Sequence, residues 1–532
     1  MTTTAKRRGW ALLLLGILAL PLSGLAEGPS VVILQSPKAP DLEKVAAEEL
    51  SGILEKLFDA DVSTRAEPSG EDQNIILLGN KETNPAIEEV AGDAWPSDLG
   101  DQDHLLRSLD RDGRNVLLVG GGSPIATLWA TYELGHHFGM RYTLHEDFLP
   151  VEKPEFSLSG IDIVLRPNVE KRAWRILEPG LAGMESWGLE SHRKLLGQLR
   201  KLKFNWLATT TRNPKQFSQA GIDVSGDRAG RAVFAGEKTF DNPDLAEASD
   251  SANRKESGEK LIGRIQSAAL DLGFSTVTVP YEGESPGIRT IHLSQPQGGV
   301  LPQFFTGRLP GELNSVREEA SIEGFAVRCW IPGNLNPDVY FLSRASFHAE
   351  LTPRQALDDL VTPICGEGVS ERLANGFAAI EEISRLIEAE EPDFSVPDPK
   401  MFVRHLESTD EAPEWWGEAT ELYGKAVNEM YRGNTRARGG ARPFILYHAK
   451  YFTFALHYMT AVQSARDAAS AKDADDTEAY VENLEAAVEA MHNALQIYAD
   501  VARDNSDRGV IAVLNEYGYR PLLEALNEAP LP

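Results

Sequence analysis

Two glutamates two positions apart, Glu282 and Glu284, stand directly after the apolar stretch STVTVP (275–280). One carboxylic acid to protonate a leaving oxygen, and one carboxylate to attack or to activate water, are what glycoside hydrolysis needs. Their separation, about 5–5.5 Å or about 6.5–9.5 Å, sets retention or inversion. In an extended chain residues i and i+2 share a face with Cα atoms about 6.5–7 Å apart. Gly283 and Pro286 argue that the strand has already ended there, and the plainer reading of Tyr281–Glu284 is a solvated acidic turn. Glu178, after RAWRIL, is a third acidic candidate.

Basic and aromatic residues at the ends of apolar stretches are the second signal. Arg175, Arg212 and Arg328 can each hold a sugar carboxylate by bidentate pairing. Trp174, Trp187 and Trp330 can stack on sugar rings, and His292, in IRTIHL, can act as an acid/base or bind a sugar hydroxyl. For each arginine the plainer alternative is an ion pair with one of the 80 acidic residues, and for His292 a structural role. Other chemistries lack their motifs. There is no G-x-S-x-G for a serine hydrolase. There is no HExxH, and Cys329 and Cys365, the only cysteines, have neither the number nor the spacing of a metal site. No cofactor is expected. The two cysteines could pair in an oxidising compartment.

The elements that must position these residues fall into three regions. Up to residue 155 strands and helices alternate: SVVILQ (30–35), a helix over 40–58, NIILL (74–78) and NVLLV (115–119). The last strand runs into Gly120-Gly121-Gly122-Ser123-Pro124. Ser123 is a good N-cap and Pro124 suits the first helical position. The glycines lack the Walker lysine and the Rossmann spacing, so they read as a tight turn. Ile125, Leu128, Trp129 and Tyr132 give the following helix one apolar face; Gly139 closes it, and 140–144 returns as a strand.

Residues 156–350 open as β/α units: RAWRIL (172–177), a glycine-containing loop with Trp187, a helix over 189–203, and NWLATT (205–210). A polar excursion (212–257), a helix to 272 and STVTVP follow. IRTIHL, VLPQFF (300–305) and GFAVRCW (324–330) are further strand candidates, with little helix between them. An eight-unit barrel needs at least about 200 residues, so four to six units are expected. Residues 351–532 read as helices, at 370–389 and near 412–432, 442–469, 476–503 and 508–527. The 442–469 segment carries Phe444, Tyr447, Tyr451, Phe452, Phe454 and Tyr458 on too much of its circumference for a surface helix.

The first region resembles the small α/β domain that precedes the catalytic barrel in α-glucuronidases and β-hexosaminidases. The likeness rests on the strand–GGG–helix segment ending in ELGHHFGMRYTLHEDFLP, where Glu133, Leu134, Gly139, Arg141 and Tyr142 match. The resemblance implies an accessory, non-catalytic first domain (27–155), a TIM-barrel-like domain (156–350), here shortened, and a helical C-terminal domain (351–532). The fold class is therefore α/β plus all-α. It also implies a carbohydrate ligand and, for an α-glucuronidase-like enzyme, an arginine for the uronate. The departure from those families is that they take the two catalytic carboxylates from different strands. Two expectations follow: a glycoside hydrolase-like protein acting on polysaccharide or oligosaccharide, including uronic-acid side chains, or a non-catalytic glycan- or partner-binding relative.

Residues 1–26 carry Lys6, Arg7 and Arg8, an apolar run from Trp10 to Leu22, and the small residues Gly24 and Ala26. This is the pattern of a cleaved secretory signal; the run is too short to span hydrocarbon comfortably. Secreted or periplasmic localisation is expected. The formal charge of −28 disfavours nucleic acid and anionic membrane partners.

Overall fold

The computed structural model describes residues 28–530 except 112, 177–179, 211–216, 227, 249, 281–284, 391 and 393–397. The signal segment, Glu178, Arg212, Glu282 and Glu284 therefore lie outside the described residues.

The first region is a six-stranded sheet. Its strands are β1 (Ser30–Leu34), β2 (Asp61–Arg65), β3 (Asn74–Gly79), β4 (His104–Arg111) and β5 (Arg114–Gly121). After the two-residue pair β6 (Arg141–Tyr142) and β7 (Asp147–Phe148), β8 (Asp162–Leu165) completes it. The order is β2-β1-β3-β5-β4-β8; β4 runs antiparallel to both its neighbours and the other ladders are parallel. Alternation along the strands decides the two faces. Val31, Ile33, Ile76, Leu78, Leu117 and Val119 join the main core, which includes apolar residues of helices Asp41–Phe58 and Pro124–His137. Val32, Leu34, Ile75, Leu77, Val116 and Leu118 pack on Ile87, Ala91 and Trp95. Ser123 caps the second helix, accepting from Ala126 N at 3.3 Å. The glycine run is a close approach of backbones: a Cβ on Gly120 would lie 2.0 Å from Gly79 O, and one on Gly122 2.1 Å from Gly100 O.

Three sequence expectations change here. The strand over 140–144 shrinks to β6. The edge strand β8 lies beyond residue 155, so the first sheet reaches further along the chain than expected. VLPQFF is buried coil, not a strand.

The second sheet takes β9 (Lys171–Arg175), β10 (Trp206–Thr210), β13 (Ser275–Val279), β14 (Ile288–His292) and β15 (Gly324–Arg328). The short pair β11 (Ile222–Asp223) and β12 (Thr239–Phe240) lies inside the polar excursion. The order is β13-β10-β9-β15-β14, and every ladder is parallel. β13 and β14 are consecutive along the sheet-forming chain yet occupy opposite edges, and no ladder joins them among the described residues. Helices Leu189–Lys201, Ser251–Asp271 and Leu309–Glu318 connect strands in the β/α manner, and Asn336–Ala345 follows β15.

The helical region comprises Pro353–Cys365, Ser370–Glu390, Trp415–Arg436, Arg442–Asp473, Thr477–Ala499, Asn505–Leu514 and Arg520–Glu528, with a short turn at Val403–Leu406. The aromatic side chains of Arg442–Asp473 are at most 1 % exposed, which makes this helix the centre of the bundle. These helices sit over the C-terminal ends of the second sheet. Trp187 Nε1 donates to Ser506 Oγ at 2.9 Å, Tyr423 Oη to Pro302 O at 2.9 Å and Tyr451 Oη to Val300 O at 3.1 Å.

The family-like motif of the first region acts as a clamp between regions. Glu133 is 3 % exposed; it accepts from Lys203 Nζ at 2.6 Å and from two Arg344 nitrogens at 2.7 and 3.1 Å. Arg141 pairs with Asp359 at 2.8 Å, and His136 Nε2 lies 3.1 Å from the same carboxylate. Lys203 and Arg344 belong to the second region and Asp359 to the third. Cys329 and Cys365 are both buried and no disulfide joins them.

Candidate functional site

Register and alternation together assign the end of the second sheet. Ala173, Ala208, Val279, Ile288 and Ala326 form one buried inner cluster, with Trp206 and Val277 packed against it. Residues two positions further along three of these strands share that face: Arg175 on β9, Arg328 on β15, and His292 one more step of two along β14. His292 pairs in register with Arg328, and β15 pairs with β9 up to Val327 opposite Trp174. Arg175, Arg328 and His292 therefore stand abreast at the C-terminal ends of three adjacent parallel strands, about 4.8 Å from strand to strand. In parallel β/α sheets this edge is where ligands bind.

The electrostatics follow. Arg175 is 2 % exposed, and Arg328 and His292 are half-buried. Burial, reinforced by Arg328, Arg308 and Arg175, pushes the His292 imidazole down to about 4, so it is neutral at pH 7. Arg308 braces the row from outside: its Nη2 donates to the His292 carbonyl at 2.7 Å, its Nη1 pairs with Glu388, and its guanidinium lies 3.9 Å over the Phe305 ring. Arg175 and Arg328 stand beside this neutral imidazole, and the Arg308 charge is met by Glu388.

The structure brings together Arg175, Arg328 and His292 from the sequence candidates and separates Trp174 and Trp187 from them. Trp174 is fully buried on the opposite face, edge-on to Phe204 at 6.1 Å. A strand cannot aim Trp174 and Arg175 the same way, so Trp174 is core packing and not a sugar platform. Trp187 is 3 % exposed, and its indole N–H donates to Ser506 Oγ. Trp330 is half-buried; its backbone N–H donates to Ser294 Oγ at 3.0 Å.

Two buried acids escaped the sequence reading because they lie in the loop and helix beyond the strand ends. Burial pushes the Glu185 carboxyl up to about 7. It accepts from Gly180 N at 2.5 Å and from Phe217 N, so it braces the loop after β9 against the polar excursion. Asp338, in the first turn of Asn336–Ala345, has zero exposure and is likewise pushed up to about 7 by burial. The Thr306 hydroxyl donates to its Oδ1, and its Oδ2 has no partner. Thr306 lies two residues before Arg308, so Asp338 supports the turn that holds the row. The only sequence signal was acidity in a segment after a strand, too common in this chain to single either out. Among the described residues no group of three or more His, Cys, Asp or Glu side chains could hold a metal, and no helix is long and apolar enough to cross a membrane.

No protein-family model matches the chain, and no curated protein sequence does. Solved structures do. A family GH115 4-O-methyl-α-glucuronidase with specificity for decorated arabinogalactans superposes with a TM-score of 0.54 at 12 % identity, covering 92 % of this chain and 80 % of that one. A family 89 glycoside hydrolase from Clostridium perfringens, bound to 2-acetamido-1,2-dideoxynojirmycin, gives 0.47 at 10 % identity over 92 % and 76 %. A GH138 enzyme targeting pectin rhamnogalacturonan II gives 0.45 at 11 % over 94 % and 100 %. The first of these establishes a glycoside hydrolase-like fold.

Proposed function

We propose that this is an exported carbohydrate-active protein that takes a uronic-acid-bearing polysaccharide or oligosaccharide at the C-terminal edge of its parallel sheet. The observation that carries the proposal is the row Arg175–Arg328–His292 on one face of three adjacent strands. The half-buried Arg328 guanidinium suits a planar carboxylate, with Arg175 buried beside it, and a neutral imidazole can donate to or accept from a ring hydroxyl. Hydrolysis is assigned to Glu282 and Glu284, which follow β13 in the chain, one as acid and one as nucleophile or base. The activity of a protein of similar fold, 4-O-methyl-α-glucuronidase, is the kind an arginine-lined site serves.

Binding and turnover test this separately. Calorimetry with glucuronic acid is expected to show affinity falling about tenfold or more for Arg328→Met, the loss of one charge-assisted bidentate contact. Unchanged affinity sinks the site. Release of uronic acid from glucuronoxylan or acidic arabinogalactan is expected to stop in Glu282→Gln and in Glu284→Gln. Turnover surviving both removes the catalytic assignment. The non-catalytic reading has one observation in its favour: the sheet has five strands with unjoined edges among the described residues, where a barrel enzyme has eight. Glucuronate binding with no turnover on any of these glycans selects it.

A further inference from the structure

The coil VLPQFF and the turn after it, Thr306–Arg308, are gripped from two sides. Helix Ser370–Glu390 reaches them with Glu381, Ser384 and Glu388, which share one helix face. Glu381 accepts from Gly307 N, Ser384 Oγ from Phe304 N at 2.8 Å, and Glu388 from Arg308 and from Gln295 Nε2 at 3.0 Å. From the other side Asn334 Nδ2 donates to Gln303 O at 3.1 Å, and Asp338 accepts from the Thr306 hydroxyl. A Cβ on Gly307 would lie 3.1 Å from a Glu381 oxygen, so the glycine lets that carboxylate close on the backbone. The next residue, Arg308, passes the grip on to the site: its Nη2 holds the His292 carbonyl at 2.7 Å.

Two carboxyls from different helices thus hold consecutive residues of one turn. Burial, joined by the Glu381 charge, pushes Asp338 up to about 7, while Thr306, the Phe305 N–H and Arg308 pull the other way. Burial raises Glu381 as well, against the Gly307 N–H and Arg385, and Glu388 pairs with Arg308. Protonated, Asp338 is a neutral acceptor for Thr306, and both carboxyls close on the turn. Ionised, it is a charge with zero exposure, its Oδ2 has no partner among the described residues, and it feels the Glu381 charge. A buried charge without a counter-charge is costly. The cheapest relief is for Thr306–Arg308 to move off and admit water. Arg308 moves with the turn, and the end of β14 loses its brace.

We propose that this turn is a proton-operated latch on the sheet-edge site, closed when Asp338 is neutral and loosened when it ionises; the proposal rests on the reading of that site only for its ligand. Two readouts on the full chain keep them apart. Amide exchange over residues 303–310, followed by mass spectrometry and corrected for intrinsic rates, needs no ligand. Protection there is expected to fall about threefold or more from about pH 6 to about pH 8.5 in the wild type, and to stay level in Asp338→Asn, which is neutral throughout. Glu381→Gln removes the charge that raises Asp338, so it is expected to move the midpoint of the fall to lower pH. Calorimetry with glucuronate, ionised over this whole range, is expected to show affinity falling about threefold or more in the wild type and staying level in Asp338→Asn. Glu185 and Lys203 titrate in the same range, so the difference between wild type and Asp338→Asn is what decides. The latch is overturned if wild-type protection stays level, if the fall survives in Asp338→Asn, or if glucuronate binds with level affinity while protection falls. Should Asp338→Asn fail to fold, an unmoved midpoint in Glu381→Gln overturns it. Protection that falls as expected with no glucuronate bound at any pH sinks the ligand of the sheet-edge site and supports the latch.

Discussion

Glu133→Gln tests the clamp that joins the three regions. The substitution keeps the shape of the side chain and removes the one carboxylate shared by Lys203 and Arg344, at 2.6 Å and at 2.7 and 3.1 Å. Lys203 is 4 % exposed, and burial already holds its ammonium down to about 8 in the presence of Glu133. Without Glu133 it sheds its proton at pH 7, and a tenfold weaker hold on that proton corresponds to about 1.4 kcal/mol. Arg344 cannot shed its proton; it loses a charge-assisted bidentate contact inside the protein, about 1.5–3 kcal/mol. The expected loss is about 3–4 kcal/mol, within the range for a buried ion pair deprived of one partner. Urea unfolding at pH 7, followed by far-UV circular dichroism, measures it. Adding Lys203→Met to Glu133→Gln is expected to return about 1 kcal/mol, because a buried amine without a partner is replaced by an apolar chain. A loss below about 1 kcal/mol for Glu133→Gln would show that the clamp holds nothing together and refute the reasoning.

Three further outcomes are expected. His192 has zero exposure, and burial pushes its imidazole down to about 4. The unfolded chain takes up that proton as pH falls below about 6.5, and the native state does so only near 4. The wild type therefore loses about 2 kcal/mol between pH 7 and pH 5 that His192→Leu does not lose, and an unchanged gap between the two urea curves rejects a neutral buried imidazole. Gly120→Ala places a methyl 2.0 Å from Gly79 O and 2.8 Å from the Trp95 ring. It is expected to cost about 3 kcal/mol or more by forcing β3 and β5 apart, and a melting temperature equal to the wild type rejects the close-packed turn. Trp187→Phe removes the donor to Ser506, about 1 kcal/mol, and is expected to speed amide exchange in Asn505–Leu514; exchange at the wild-type rate there means that the contact does not tether the helix.

Local rules carried the sequence reading wherever the structure obeys them locally. The Ser123–Pro124 start of a helix, the core strands β1, β3 and β5, and the aromatic central helix all follow from caps, apolar runs and spacing. β2 (DVSTR) was missed because four of its five residues are exposed at a sheet edge, with the fifth only half-buried, so no burial pattern marks it. β4 was missed because its outer half, toward Arg111, is polar. Within the site, alternation could have separated Trp174 from Arg175, since neighbours on a strand face opposite ways. No local rule could place the helical region over the sheet edge: Trp187 and Ser506 are 319 positions apart in the chain. The same holds for Glu133, whose motif was recognisable while its partners, Lys203 and Arg344, were not.

The placement of Asn505–Leu514 on the sheet edge has a consequence for how the molecule is made. Gly509 approaches the Leu181 carbonyl so closely that an added methyl would sit 1.9 Å from it, and Ser506 secures the loop after β9. Synthesis runs from the amino end, so Asn505–Leu514 leaves the ribosome long after the strands whose connecting loop it packs against. Until that helix arrives, the loop after β9 lacks the packing that Gly509 and Ser506 give it.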